Sequence, residues 1–345
     1  MYANKHYFGL ILLFTILFTI RLWQVEGFHG YYSDIYLEDL GMIFEPWRRY
    51  LSQIFNQYLD PEAAAILSGV VLGIKSDLST NLKNALINTS TIHIVVVSGQ
   101  NLSLLVASLA HFNGYIGKRL TSLLALIIIL AYCLITGLQI PVIRAGIMAS
   151  LCLIAQIFGR ERQSVLVLFI SGALMLLYEP RWLLSISFQL SFVATLATLT
   201  LTPKIDTLLI KIPSLIRADL SNAIAVQLLI WPLIAFYFQQ VSLVGIFVNT
   251  LVLWTIGPIM ISGGLLLIAH QINQQIASWL SLIPELLITF LLKVVYFSNS
   301  IKMNHLEKVI LSISFLIGYY FLVLGVFYLL AKKDCHDNQK IDLGY

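Results

Sequence analysis

The stretch His93 to Leu105, HIVVVSGQNLSLL, places an imidazole, two hydroxyls, a glycine and two carboxamides inside an otherwise lipid-grade apolar run. The run breaks at Ser98-Gly99-Gln100-Asn101 and then resumes. In hydrocarbon the backbone has no water to bond, so a break is tolerated only where protein encloses it or a water-filled cavity borders it. Interrupted helices of this kind are where transport folds place their binding sites. Two readings stay open. In one, the stretch is a polar constriction whose backbone N–H groups, hydroxyl and amide suit an anionic chain such as nucleic acid. In the other, Ser98, Gly99 and Asn101 satisfy one another where helices cross closely. A hydrolase built on Ser98 and His93 is disfavoured, because on a helix the two face different directions and no acid lies near them.

Arg144 is the second candidate. An ionised residue inside a span is costly and by default functional. It follows Pro141 by about one turn, roughly 5 Å along a helix. It therefore either snorkels to the outer surface or stays inside, where an always-charged fork pairs with phosphate. Gln189 and Ser191 put an amide and a hydroxyl into a later apolar run, and Gln156, Gln227 and Asn249 are similar single polar residues. Each alone is more often an interhelical hydrogen bond than a ligand contact. The seven histidines are scattered, with no H-x-H-x-D-H or H-E-x-x-H spacing, so a hydrolytic metal site has no support and no cofactor is expected. Cys133, Cys152 and Cys335 show neither a disulfide framework nor metal spacing.

The elements that must position these residues follow from composition. Of 345 residues, 59% are apolar and only 11% charged, and mean hydropathy is +0.86. A soluble domain carries about 25% charged residues, so the chain is an integral membrane protein. The expected fold is all-α and polytopic, with about ten transmembrane helices. The spans fall at 8–25, 91–112, 119–136, 141–158, 163–178, 182–201, 220–238, 243–268, 277–298 and 309–331. A broken helix sits at the centre, with a re-entrant or interfacial helix pair before it. Residues 1–26 read as an uncleaved anchor, and 27–60 as a periplasmic or interfacial segment. Residues 61–331 form one membrane domain, and 332–345 a cytoplasmic tail.

Within the second segment Glu45-Pro46 opens a helix. Trp47, Tyr50, Leu51, Ile54, Phe55 and Tyr58 then recur at helical spacing opposite Arg48, Arg49 and a row of amides. Such a helix suits the membrane interface, where Arg48 and Arg49 meet lipid headgroups or, on a functional reading, a polyanion. Asp60-Pro61-Glu62 opens the next helix. Ala65, Gly69 and Gly73 form a small-residue ridge that lets another backbone approach. Residues 61–74 are too short for a full span of ~20 residues, and they read as a half-inserted helix packed on the broken segment. Ser79-Thr80 caps a short polar helix. Lys/Arg excess on alternate loops puts both termini in the cytoplasm.

With these motifs in hand, the chain resembles the ComEC-type competence proteins, inner-membrane channels that bring single-stranded DNA into bacteria during natural transformation. The resemblance rests on His93-x4-Ser98-Gly99, Thr136-Gly137 and Val142-Ile143-Arg144-Ala145-Gly146-Ile147-Met148. It continues through Gly159-Arg160, Glu179-Pro180 and Ser187-Phe188-Gln189-Leu190-Ser191-Phe192. The set covers roughly residues 60–260 and is specific as an ordered whole. It implies a passive, non-catalytic channel in the bacterial cytoplasmic membrane, with His93, Ser98, Gly99, Gln100, Asn101, Arg144, Gln189 and Ser191 lining it or contacting DNA. The partners implied are single-stranded DNA, a cytoplasmic helicase and a separate nuclease, besides membrane lipid, and an oligomer is compatible. Asn101 stands where many members carry histidine, so no role resting on that imidazole is carried over. The OB-like and metallo-β-lactamase-like domains of full-length members are not expected here. The alternatives are a non-conducting scaffold on the same fold or a small-solute transporter, the latter without a carboxylate cluster to form its ion site.

Overall fold

Proline in the first helical turn or a capping side chain starts several helices of this chain. The computed structural model describes residues 14–22, 43–74, 77–95, 99–111, 113–159, 163–242, 244–301, 305–307, 309, 311–323 and 325. After a helical stretch over 14–22 (α1) comes the amphipathic α2, Glu45–Tyr58, which carries Pro46 in its first turn and buries Ser52, Ile54 and Phe55. The next helix, α3, runs Pro61–Leu72 and stops at Gly73, whose left-handed backbone (φ 74) returns its N–H to the Gly69 carbonyl. Nine of its twelve residues are buried, and at about 18 Å it cannot cross a hydrocarbon core of ~30 Å. Ser79 then caps α4, Thr80–Asn88, by accepting from the Leu82 N–H.

A single 3-10 turn, Ile92–Ile94, leads to the interruption, and the chain re-enters helix as α5, Gly99–Ala110. A short turn α6, Asn113–Ile116, precedes α7, Lys118–Ile135. The turn after α7 holds two left-handed residues, Gly137 and Leu138, before α8, Ile140–Ile157. Then come α9 (Ser164–Tyr178), a 3-10 turn at Pro180–Leu184, and α10 (Ile186–Thr200), with α11 (Thr202–Leu208) bent 44° from α10. The long helices α12 (Ser214–Phe238), α13 (Gly245–Ile272) and α14 (Gln274–Asn299) each contain one proline. Strand β1 (Gln240–Ser242) pairs antiparallel with β2 (His305–Glu307), and α15 covers Ile313–Val323.

Five described helices are long and apolar enough to cross a membrane, or six if the bent α10–α11 pair counts as one span. The protein is therefore an all-α polytopic membrane protein, but the described helices do not establish ten crossings. The expected spans around α5 and α9 contain helices of 12 and 15 residues. The broken helix removes part of the first, and Glu179-Pro180 stops the second. Outward faces confirm the solvent. Leu123, Ile127 and Leu130 on α7, and Leu282, Leu286 and Phe290 on α14, stay exposed at helical spacing. Apolar stripes of that extent suit acyl chains and not water.

The interior has two centres. Helices α2, α3 and α4 pack on the α13–α14 pair around Phe55, Ile66, Leu67, Val252 and Ile259. Helices α5, α7 and α8 surround Leu102, Ile129, Cys133 and Val142, with α9 and α10 packed beyond them. On α3, Gly69 of the small-residue ridge lies against the segment before α5: a Cβ there would stand 2.5 Å from both Cγ1 and the carbonyl oxygen of Val95.

Candidate functional site

The C-terminal end of α3 leaves carbonyls that its own helix cannot satisfy. Two side chains from elsewhere cap them. Asn101 Nδ2 donates to the Val70 carbonyl at 3.0 Å, and Gln139 Nε2 donates to the Gly73 carbonyl at 3.1 Å. Asn101 is 1% exposed, and the Tyr132 hydroxyl lies beside its carboxamide. The end of α3, the start of α5 and the α7–α8 turn are thus tied by polar contacts inside protein. This favours the close-crossing account for Asn101: its amide serves a backbone carbonyl. The expected break at Ser98 to Asn101 is corrected in part: Gly99, Gln100 and Asn101 form the first turn of α5, and the 3-10 turn before it ends at Ile94. Ser98 lies outside the described residues.

Arg144 occupies the second turn of α8 and does not snorkel. It is 7% exposed. One terminal nitrogen, Nη1, donates to the Ser191 carbonyl on α10, and the guanidinium carbon lies 5.9 Å from the Phe192 ring centroid. Phe192 is held by stacking on Phe188 at 4.3 Å. Room for the guanidinium exists because position 99 has no side chain: a Cβ on Gly99 would stand 3.2 Å from Nη2 and 3.3 Å from the Ala145 Cβ. Among the described residues no carboxylate pairs with Arg144, and its buried Nε has no hydrogen-bond partner. A buried cation held by one carbonyl and one ring face is under-compensated, since burial of charge is costly unless it is paired.

Gly99, Arg144 and Ser191 therefore meet, with Asn101 one half-turn along α5. Ser191 contributes its backbone carbonyl to this meeting, whereas the sequence had suggested its hydroxyl. Gln189 points elsewhere: Nε2 donates to the Leu183 carbonyl at 3.0 Å, and Oε1 accepts from the Tyr237 hydroxyl at 2.8 Å. His93 keeps its ring on the Ser90 backbone and makes no described contact with the Arg144 group. Gln139, Tyr132 and Phe192 were missed. Gln139 had a weak signal as the polar residue two before Pro141 at a helix start. Arg48 also departs from the surface patch expected of it. Its side chain is 11% exposed, is paired with Glu45, and lies over Gly137, whereas Arg49 is 70% exposed.

The architecture defines a class: a multi-pass α-helical membrane protein with a buried arginine that, among the described residues, no carboxylate pairs. A family model described as Competence protein matches residues 70–333, and the chain belongs to that family. It is 24% identical to ComE operon protein 3 of Bacillus subtilis (strain 168) over 246 residues, 68% of this chain and 31% of that protein. It is 31% identical over 122 residues to an uncharacterized protein of Aquifex aeolicus (strain VF5), covering 35% of this chain and 29% of that one. The chain thus spans about a third of the length of these curated relatives. No solved structure matches it. The matched region contains the Gly99–Arg144–Ser191 meeting point and every helix around it.

Proposed function

We propose that this chain forms a conduit for single-stranded DNA across the bacterial cytoplasmic membrane during natural transformation. The observation that carries the reading is Arg144: a guanidinium buried among helices, with no acid among the described residues to neutralise it, against Gly99, the first residue of α5. A protein retains such a charge at a cost, and a passing phosphate backbone supplies the missing anion. In this reading α3 dips into the membrane without crossing it and braces the interruption. Ser98, Gly99 and Gln100 line the path with His93 at its mouth. Asn101 and Gln189 hold the walls, and Ser191 holds Arg144 at rest. A cytoplasmic helicase supplies the motive force, a separate nuclease degrades the other strand, and both termini face the cytoplasm. Nothing in the path is catalytic.

Deleting the gene from a transformable host and scoring uptake of labelled DNA tests this directly, with a large loss expected. Unchanged uptake refutes it. A scaffold that binds partner proteins is the second reading, favoured by the internal hydrogen bonds that Asn101 and Gln189 make. Replacing Ser98, Asn101 and Arg144 together separates the two in a chain shown to insert: the conduit loses uptake, and the scaffold keeps it.

A further inference from the structure

We propose that the cleft between α7 and α8 is a binding site for one acyl chain of a membrane phospholipid. The site is independent of the conduit reading. Both helices are long and apolar enough to cross a membrane. They approach closely at Gly146, where a Cβ would stand 2.8 Å from Cys133 Sγ and 3.6 Å from Ile129 Cγ2. Beside that contact lies a cleft of about 290 Å³. Buried Ile129 and Cys133 form its floor and half-buried Leu126 and Leu151 its walls, while Leu130, 62% exposed, stands at its mouth.

Position, direction and width select the occupant. Leu130 belongs to the exposed stripe Leu123, Ile127 and Leu130 that α7 turns to lipid, so the cleft opens onto acyl chains. Its lining runs from Leu126 to Cys133 on α7 and from Ile143 to Leu151 on α8, about 10 Å along each helix. Spanning helices stand about 20° from the bilayer normal, so the cleft runs nearly parallel to the lipid chains. Spread over its length, the volume leaves a cross-section of roughly 30 Å², about a third of what an α-helix of ~10–12 Å diameter needs. A second copy of this chain cannot lay a helix in it, whereas one hydrocarbon chain fits. An apolar cavity of about 150 Å³ already stays dry, so water does not fill this larger one. Nor can α7 and α8 close it by approaching, because they already touch at Gly146. Left empty, the lining would forfeit its dispersion contacts, and a lipid chain restores them.

The test uses the full chain in phosphatidylcholine nanodiscs doped with phosphatidylcholine that carries a diazirine in one acyl chain. After irradiation and digestion, mass spectrometry compares label on the α7–α8 peptides with label on the lipid-facing stripe Leu282, Leu286 and Phe290 of α14. Label in the cleft is expected to exceed that on the stripe by about 3-fold, the advantage of a few additional carbon contacts per chain. Ser150→Phe, which places a ring in the cleft, is expected to bring the cleft down to the level of the stripe and to leave the stripe unchanged. Ser150→Ala is expected to keep the wild-type pattern. Leu130→Trp narrows the mouth from an exposed position and carries the test if Ser150→Phe fails to insert. Cleft label no higher than stripe label means ordinary boundary lipid and overturns the inference. Cleft label below stripe label means that a second copy or another segment of this chain covers the cleft, and overturns it too. Excess label that survives both Ser150→Phe and Leu130→Trp overturns it as well, because the lipid then reaches those peptides from elsewhere.

Discussion

Gly69→Ala is a one-carbon change whose consequence can be worked out from the contacts at the interruption. The new methyl would stand 2.5 Å from Val95 Cγ1 and 2.5 Å from the Val95 carbonyl oxygen. Ordinary contacts sit at about 3.5–4.0 Å, so α3 and the Val95 segment must separate by about 1 Å. Asn101 bonds Val70, the residue after Gly69, at 3.0 Å. A shift of that size takes the bond beyond hydrogen-bond range. Overpacking costs about 1–3 kcal/mol and the lost bond about 1 kcal/mol. Alanine's better helix propensity returns about 1 kcal/mol. The net expectation is a loss of about 1–3 kcal/mol, measured by reversible unfolding in bicelles. Asn101→Leu alone is expected to cost about 1–3 kcal/mol, since it strands a buried carbonyl. If Gly69→Ala already breaks that bond, the double variant costs about 1 kcal/mol less than the sum of the singles. Strict additivity, or a Gly69→Ala variant as stable as wild type, refutes the argument that α3 is pressed against the interruption and held there by Asn101.

Two further outcomes are expected. Arg48→Ala lowers the thermal midpoint, because it removes a packed guanidinium from over Gly137, while the exposed Arg49→Ala leaves it within error; equal effects from the two would contradict the placement of Arg48. Glu179, outside the spans, is held below the usual glutamate range chiefly by its hydrogen bond to Arg181. A depressed folded-state pKa gives stability that is present above the unfolded value and lost as pH falls through the folded one. Wild type should therefore lose a small margin over Glu179→Gln between neutral pH and pH ~3, a margin kept modest by solvent exposure, and a constant difference across that range would rule the contribution out.

Much of this protein was legible one segment at a time. Hydropathy is a local property, so the long apolar helices, the proline starts of α2 and α3 and the serine cap of α4 could be read from neighbours in the chain. The ridge Ala65-Gly69-Gly73 could be read because residues four apart share a helix face. Even its partner was inferred, since a backbone this bare calls for another backbone. What stayed hidden depended on residues far apart in sequence. Asn101 finds its carbonyl 31 positions back, Gln139 reaches 66 positions to Gly73, and Arg144 reaches 47 forward to Ser191. No periodicity encodes those pairings. Composition alone determined that the chain lives in lipid and that an arginine there needs a reason. Only the tertiary structure decided that Arg144 turns inward and that Ser191 offers its carbonyl. Hydrogen bonding and charge compensation act over a few ångströms, and only folding brings such partners within that reach.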